Sequence, residues 1–307
     1  MGINVLSLCD GMSCGQIALK ELGIEVDRYI AAEIDKNAIK VTKDNFPKTE
    51  EVGDVAYFFK DMKNLVLDEE KLKALPKIDL VIYGSPCRSL SRLTLDRKEY
   101  NKGLEGVSWL FYPCTEILHW VMKNNNADVK FMVENVDSAS KDDLKIISEK
   151  LGVEGILINS VDFSAQERKR IYWTNIPLKE RPEKNRQVLK DIMEVDVDEK
   201  YIYNLPFDFR GEENRVCATV GVKGHDMIKR VYSRNFKAPT LTACRGGNVQ
   251  KKVYDKGKCR KLTPLEYRRL QTIPDWYRMN VADSSIYNMC GDGWTIEVIK
   301  YIFGGLI

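Results

Sequence analysis

Histidine is nearly missing: His119 and His225 are the only two in a chain of 307 residues. The eight cysteines, at positions 9, 14, 87, 114, 217, 244, 259 and 290, include no Cys-x-x-Cys pair. Zinc-ligand spacing is therefore absent, and no metal is expected. No run of 18 apolar residues occurs, which predicts no membrane-spanning helix. The opening MGINVLSLCDG holds neither a basic segment nor a long apolar one and runs straight into a strand-like stretch. A reducing, cytoplasmic compartment with free thiols is the expectation. A net charge of +3 does not by itself announce a polyanionic partner, although Lys and Arg concentrate from about residue 166 onward. There is no internal repeat and no low-complexity segment.

What is present is ordinary for a soluble chain of enzyme size, with 44% apolar and 30% charged residues. Up to residue 178, short apolar runs (INVLSL, RYIAA, DLVIY, VKFMVEN, GILINS, RIYWTN) alternate with helical patterns near 15–22, 36–44, 108–123 and 141–150. Strand and helix in series predict an α/β fold, a doubly wound and mostly parallel sheet with ligands at the carboxyl ends of its strands. The candidate residues do follow strands: Asp10-Gly11 after VLSL, Glu33 after IAA, Pro86-Cys87 after LVIY, Glu134-Asn135 after FMV. Residues 1–178 read as one domain. Residues 179–261 break into irregular pieces rich in Lys, Arg, Asn and Gly and read as a small second domain. Regular structure resumes with TPLEYRRLQ, where Thr263 caps a helix, Pro264 takes its first position and Glu266 completes a capping box. Residues 262–307 are expected to return to the first domain.

LSLCDGMSCGQIAL reads as strand, glycine turn, helix. Gly11 and Gly15 permit a tight turn and close backbone approach, and the helix start offers free amides, although a packing turn would look the same. The second strand ends in Glu33, about 20 residues on, where an acid accepts hydrogen bonds from a ribose diol or simply favours a helix N-terminus. The full Gly-x-Gly-x-x-Gly is absent, so a cofactor without a pyrophosphate, such as S-adenosylmethionine, fits. Asp54, in VGDV, is either an acceptor for an adenine amino group or a loop acid.

In order along the chain stand LSLCDGMSCG, AAEID, VGDV, GSPCRSLS, GLEGVSWLF, FMVENV, QERKR, LTPLEYRRLQ and YNMCGDGW. Together they resemble the DNA (cytosine-5) methyltransferases over nearly the whole length, with likeness both to the de novo enzymes and to bacterial and phage members. The resemblance implies the S-adenosylmethionine-dependent methyltransferase fold with a small target-recognition domain, and double-stranded DNA as substrate. It further implies a monomer in the cytoplasm of a bacterial or phage-infected cell. Cofactor contacts are implied for Asp10, Gly11, Gly15, Glu33, Ile34, Asp54, Val55, Ser85, Pro86, Leu110, Asp292 and Trp294.

The chemistry explains the residue types. Cytosine C5 is too weak a nucleophile to take a methyl group unaided, so a nucleophile must first add at C6, and the thiolate of Cys87 suits that step. Glu134 is implied at the N3 and amino edge of the base, which selects cytosine over uracil, with Asn135 holding its loop. Arg168 and Arg170 share one side of an extended segment, one for the cytosine O2 and the other for Glu134 or a phosphate. The target base must leave the duplex. Arg88, Ser91 and Arg92 in the polar loop, and Arg245 and Gly246 in LTACRGGNVQKK, are the implied DNA contacts; for Arg245, guanine recognition and a phosphate contact stand equally.

The chain departs from the pattern twice. Arg88 stands where the family usually has Gln or Asn, and Asp292 where Asn is frequent. A phosphate contact from Arg88 is the first reading and a role in the duplex gap the second. The third is recognition of a carboxylated sulfonium donor, which would change the product. Two rivals remain: the same chemistry on RNA, and a non-catalytic DNA-binding relative, against which the joint presence of Cys87, Glu134 and Arg168 speaks. Amino-methyltransferases are disfavoured because they use an Asp/Asn-Pro-Pro-aromatic turn where this chain has Ser-Pro-Cys.

Overall fold

A computed structural model describes residues 2–91, 98, 102–244 and 248–307. Arg92, Arg245 and Gly246 lie outside the described residues. The chain divides into two compact units, one of residues 1–158, 169–179 and 300–307, the other of residues 159–168 and 180–299.

The first unit is built on seven strands: β1 (Ile3–Leu8), β2 (Val26–Ala32), β3 (Glu50–Gly53), β4 (Leu80–Gly84), β5 (Lys130–Val136), β6 (Ile156–Asn159) and β7 (Lys169–Thr174). Their spatial order is β3-β2-β1-β4-β5-β7-β6. Neighbours from β3 to β5 are parallel, and β7 runs antiparallel to β5. Four helices cross over the sheet: α1 (Cys14–Glu21), α2 (Lys36–Asn45), α3 (Phe111–Asn124) and α4 (Lys141–Leu151). The order reverses between β1 and β4, which opens a crevice at the carboxyl ends of those strands.

Both faces of the sheet are covered, which is why the strands are continuous apolar runs instead of alternating ones. Leu8, Ala32, Tyr83 and Val133 form a row on one face, in a core shared with Phe111, Cys114, Ile117, Leu118 and Val121 of α3. On the opposite face, Ser7, Ala31 and Ile82 are register partners, and α1 comes down so closely that a Cβ on Gly15 would lie 2.2 Å from Ile82 Cδ1. At Gly15, expected at the cofactor, helix and strand approach so closely that a larger residue would require Ile82 to shift.

The second unit carries a five-stranded sheet of Phe207–Phe209, Val216–Val220, Arg230–Ser233, Lys252–Asp255 and Lys258–Lys261, in that spatial order. All its pairings are antiparallel except that of Arg230–Ser233 with Lys252–Asp255. The buried Lys252 spans its interior and donates to the carbonyls of Ile228, Asn248 and Gln250. Residues 262–299 group with this second unit, and residues 300–307 with the first. Glu266 anchors the start of this segment. Fully buried, its carboxylate accepts from both terminal nitrogens of Arg260 (2.8 and 2.7 Å), from the Thr263 amide in the capping box and from the Glu194 amide.

Breaking a buried pair by neutralising one partner costs about 3–5 kcal/mol, because the remaining charge keeps its desolvation penalty. Glu266→Gln should therefore lose stability on that scale in urea unfolding, far beyond the effect of an exposed pair such as Lys73–Glu69. A loss equal to that of Glu69→Gln would contradict the structural role.

Candidate active site

The site grows from the carboxyl ends of β1, β2, β4 and β5. After β1 the chain turns through three left-handed residues in five, Cys9 (φ 56°), Gly11 (φ 59°) and Ser13 (φ 58°). Such a loop must be held by others. Glu33 holds it: Oε2 accepts from the Gly11 amide at 2.7 Å, while Oε1 accepts from the amides of Ile34 and Asp35 at 2.7 and 2.8 Å. Next to it Ile34 is 70% exposed, an apolar side chain standing at the rim. Beyond β3, Asp54 caps a short helix by accepting from the Ala56 amide, and Val55 is buried.

Beneath this loop lie two carboxyl groups out of their usual range. Asp10 Oδ1 accepts from the hydroxyls of Ser7 (2.5 Å) and Tyr29 (2.8 Å), but its Oδ2 is buried without a partner. Burial pushes the Asp10 carboxyl up to about 6, against the pull of those hydroxyls. Glu51, register partner of Ala31 on the face shared with Ser7, has both oxygens buried and unpartnered. Burial, and then the negative charge of Asp10, push it up to about 7, opposed by Lys43. Nothing in the sequence singled out Glu51 or Tyr29; the only trace was a pair of acids inside a strand, where acids are rare.

The second half of the site joins β4, β5 and β7. Gly84 and Glu134 are register partners, so the chain after each emerges at the same edge. Asn135 Nδ2 donates to Ser85 Oγ at 3.2 Å, fixing the Ser85-Pro86 turn. The carbonyl of the half-buried Cys87 accepts from the amides of Leu90 and Ser91, closing a tight turn, and the Ser89 amide donates to Ser108 Oγ. Arg88 is exposed on that turn; Pro86 and Ser91 are half-buried, as is Leu110, just ahead of α3.

Glu134 is 7% exposed, and Arg170 Nε pairs with its Oε1 at 2.9 Å. Arg170 sits opposite Val136 in the antiparallel β5–β7 ladder, one diagonal from Glu134. Arg168 goes elsewhere. It falls in the second unit, 3% exposed, where its guanidinium donates to the carbonyls of Leu241, Gly291 and Gly293, each at 2.9 Å. Arg168 thus clamps three stretches of backbone. Asp292, exposed at the end of helix Asp283–Asp292, and the half-buried Trp294 also belong to that unit.

Among the described residues no cluster of His, Cys, Asp and Glu could hold a metal ion, and no helix is long and apolar enough to cross a membrane.

This mostly parallel sheet, with its reversed strand β7 second from one edge, is a fold shared with solved methyltransferases. The structure of Entamoeba histolytica methyltransferase EhMeth superposes with a TM-score of 0.67 at 14% identity, covering 100% of this chain and 99% of that one. Spodoptera frugiperda DNMT2 superposes at 0.64 and 19% identity, covering 99% of both. In sequence, residues 3–307 match the C-5 cytosine-specific DNA methylases, and the chain belongs to that family, the DNA cytosine-5 methyltransferases. The orphan methyltransferase M.SPBetaI of Bacillus phage SPbeta is 25% identical over 447 aligned positions, covering 99% of this chain and 97% of the relative. The type II methyltransferase M.HhaI of Haemophilus parahaemolyticus is 26% identical over 328 positions, covering 98% and 93%.

Glu51 gives a stability test with a defined sign. Its carboxyl, about 7 in the folded chain against 4.5 ordinarily, binds more protons folded than unfolded between those values. Its contribution to stability is therefore present below 4.5 and lost as pH rises toward about 7. Glu51→Gln, which cannot ionise, should gain stability relative to wild type progressively across that window and hold the gain above it. Urea unfolding at a series of pH values measures the difference; a pH-independent one would mean that Glu51 is an ordinary exposed acid.

Proposed function

We propose that this enzyme methylates C5 of a cytosine swung out of double-stranded DNA, using S-adenosylmethionine and a transient covalent bond from Cys87 Sγ to cytosine C6. The observation that carries the reading is the convergence of Cys87, Glu134 and Arg170 at one edge of the sheet, beside the β1–β4 reversal. The Cys87 thiolate adds to C6 and turns C5 into an enamine-like carbon. Glu134 hydrogen-bonds the N3 and amino edge and stabilises the ring in its N3-protonated form as Cys87 adds, so that no net negative charge is left on the base. Arg170, paired with Glu134, keeps the carboxylate oriented. Loss of the C5 proton to a base and departure of Sγ with its electron pair restore the thiolate and the aromatic ring.

The residues at the ends of β1, β2 and β3 suit the cofactor. Glu33 retains acceptor capacity beyond its three amides for a ribose diol, Ile34 offers an apolar face to an adenine, and the orphaned Asp10 Oδ2 is an acceptor facing no protein donor. When bound, S-adenosylmethionine supplies an electrophilic methyl group. Duplex DNA is the substrate this reading requires, with the exposed Arg88 beside Cys87 contacting a phosphate.

Cys87→Ala should abolish turnover while leaving S-adenosylmethionine affinity unchanged, and duplex DNA carrying 5-fluorocytosine should trap an adduct on Cys87 of the wild type. An adduct mapped to any other cysteine, or methylation of transfer RNA in preference to duplex DNA, would overturn the reading.

The two halves of the site should separate kinetically. Glu134→Gln should slow methyl transfer by roughly two to four orders of magnitude with cofactor affinity intact. Glu33→Ala should weaken cofactor binding by about 1–3 kcal/mol through loss of a charged acceptor and of the loop it holds. Calorimetric titration and single-turnover rates distinguish them; equal effects of both variants on both quantities would refute the division. Arg88→Gln should lower the salt slope of DNA binding by about one unit while sparing cofactor affinity; an unchanged slope removes the phosphate role.

A further inference from the structure

Two cysteines outside the proposed chemistry meet in the core of the first unit. Cys9 ends β1 and opens the strained loop that carries Asp10 and Gly11; Cys114 lies in the first turn of α3. Tyr83 brings them together. It is the register partner of Leu8, the residue before Cys9, and its hydroxyl is 2.9 Å from Oγ1 of Thr115, the residue after Cys114. Cys9 packs against the core cluster that contains Cys114, Leu8 and Tyr83. Cys9 is half-buried and Cys114 fully buried, against the same core. All eight cysteines are free, so this pair exists as thiols.

Unequal burial assigns the roles. The neighbouring Cys9 and burial hold the Cys114 thiol well above the ordinary range, so it does not react first. The half-buried Cys9 meets solvent. We infer that Cys9 and Cys114 form a disulfide on exposure to a peroxide, and that this bond locks the Cys9–Ser13 loop away from its binding conformation. Hydrogen peroxide transfers one oxygen to the Cys9 sulfur, giving a sulfenic acid and water; the Cys114 sulfur then attacks it, the S–S bond forms and the hydroxyl leaves as a second water. The peroxide is reduced and both thiols are oxidised. Bridging requires the sulfurs to close to roughly 2.05 Å. Helix α3 is packed along the sheet by Phe111, Ile117, Leu118 and Val121, so the loop with its left-handed Cys9 and Ser13 is the side that gives. Its movement pulls on the Gly11–Glu33 hydrogen bond.

The consequence for cofactor rests on the proposed function; the bond itself does not. The full chain is treated with hydrogen peroxide, free thiols are alkylated and peptides are mapped by mass spectrometry. The expected result is a pair of peptides joined through Cys9 and Cys114, lighter by two hydrogens and separated by dithiothreitol. In the same sample S-adenosylmethionine should bind about tenfold more weakly, with affinity restored on reduction. Cys114→Ala, or Cys114→Ser where the alanine variant misfolds, should keep its affinity through the treatment. Oxidation of Cys9 to a sulfinic acid with Cys114 still alkylated, or a bridge from Cys9 to Cys87, would overturn the pairing; a cross-linked protein that binds cofactor normally would overturn the lock. If the reduced chain itself does not bind S-adenosylmethionine, the proposed function fails instead. Amide exchange at residues 10–13, expected to slow on oxidation, then decides the lock, and unchanged exchange refutes it.

Discussion

The carboxylate of Glu33 is the interaction on which the rest of the first unit's working edge depends. The loop after β1 holds two non-glycine residues in left-handed backbone, each costing of order 1–3 kcal/mol, and such a loop relaxes unless something outside it sets its shape. Glu33 takes the Gly11 amide from one loop and the Ile34 and Asp35 amides from the next, so one charged group fixes two strand ends at once. Charge-assisted bonds of this kind are about twice as strong as neutral ones. With the loop set, Asp10 is carried down onto Ser7 and Tyr29.

The same economy operates where β4, β5 and β7 meet. An all-parallel edge would leave the strand after β5 to arrive from the far end of the sheet. Because β7 runs antiparallel, its first residues lie beside the last residues of β5, and Arg170 reaches Glu134 with no loop between. Asn135 meanwhile reaches back to Ser85, so the turn bearing Cys87 and the strand end bearing Glu134 are braced by neighbouring residues. Strand direction thus supplies the orientation that loops alone would hold poorly.

Much of this was legible in the sequence because local patterns and the global fold agree. Continuous runs such as LVIYG and FMV announced strands covered on both faces, and residues placed after them landed at the carboxyl ends. The capping box at Thr263 appeared as written. What was hidden is what depends on contacts far along the chain. Gly15 looked like a cofactor glycine because a tight turn and a tight helix contact demand the same residue; only the position of Ile82 distinguishes them. Arg168 and Arg170 looked equivalent at i, i+2, yet the first closes on carbonyls from residues 241, 291 and 293 and the second on Glu134. The contacts of Glu266 with Arg260 and Glu194 were likewise out of reach, since they join residues far apart in the chain.

Glu51 and Asp10 show why a family resemblance does not exhaust a chain. Two carboxyls buried side by side with three unpartnered oxygens destabilise the fold as they ionise, and a neutral isostere would be better for stability alone. Local conflicts of this kind collect where a protein binds or reacts, because a ligand can relieve there what the folded chain tolerates. The charges of Asp10 and Glu33 raise Glu51 further, and Lys43 opposes them. Glu51 and Asp10 therefore keep their protons to higher pH than ordinary carboxyls do. A cationic ligand group arriving above the Cys9–Ser13 loop would displace those protons, so its binding and the ionisation of these two acids are coupled by charge through Ser7, Ala31 and Tyr29, whatever contacts it makes directly.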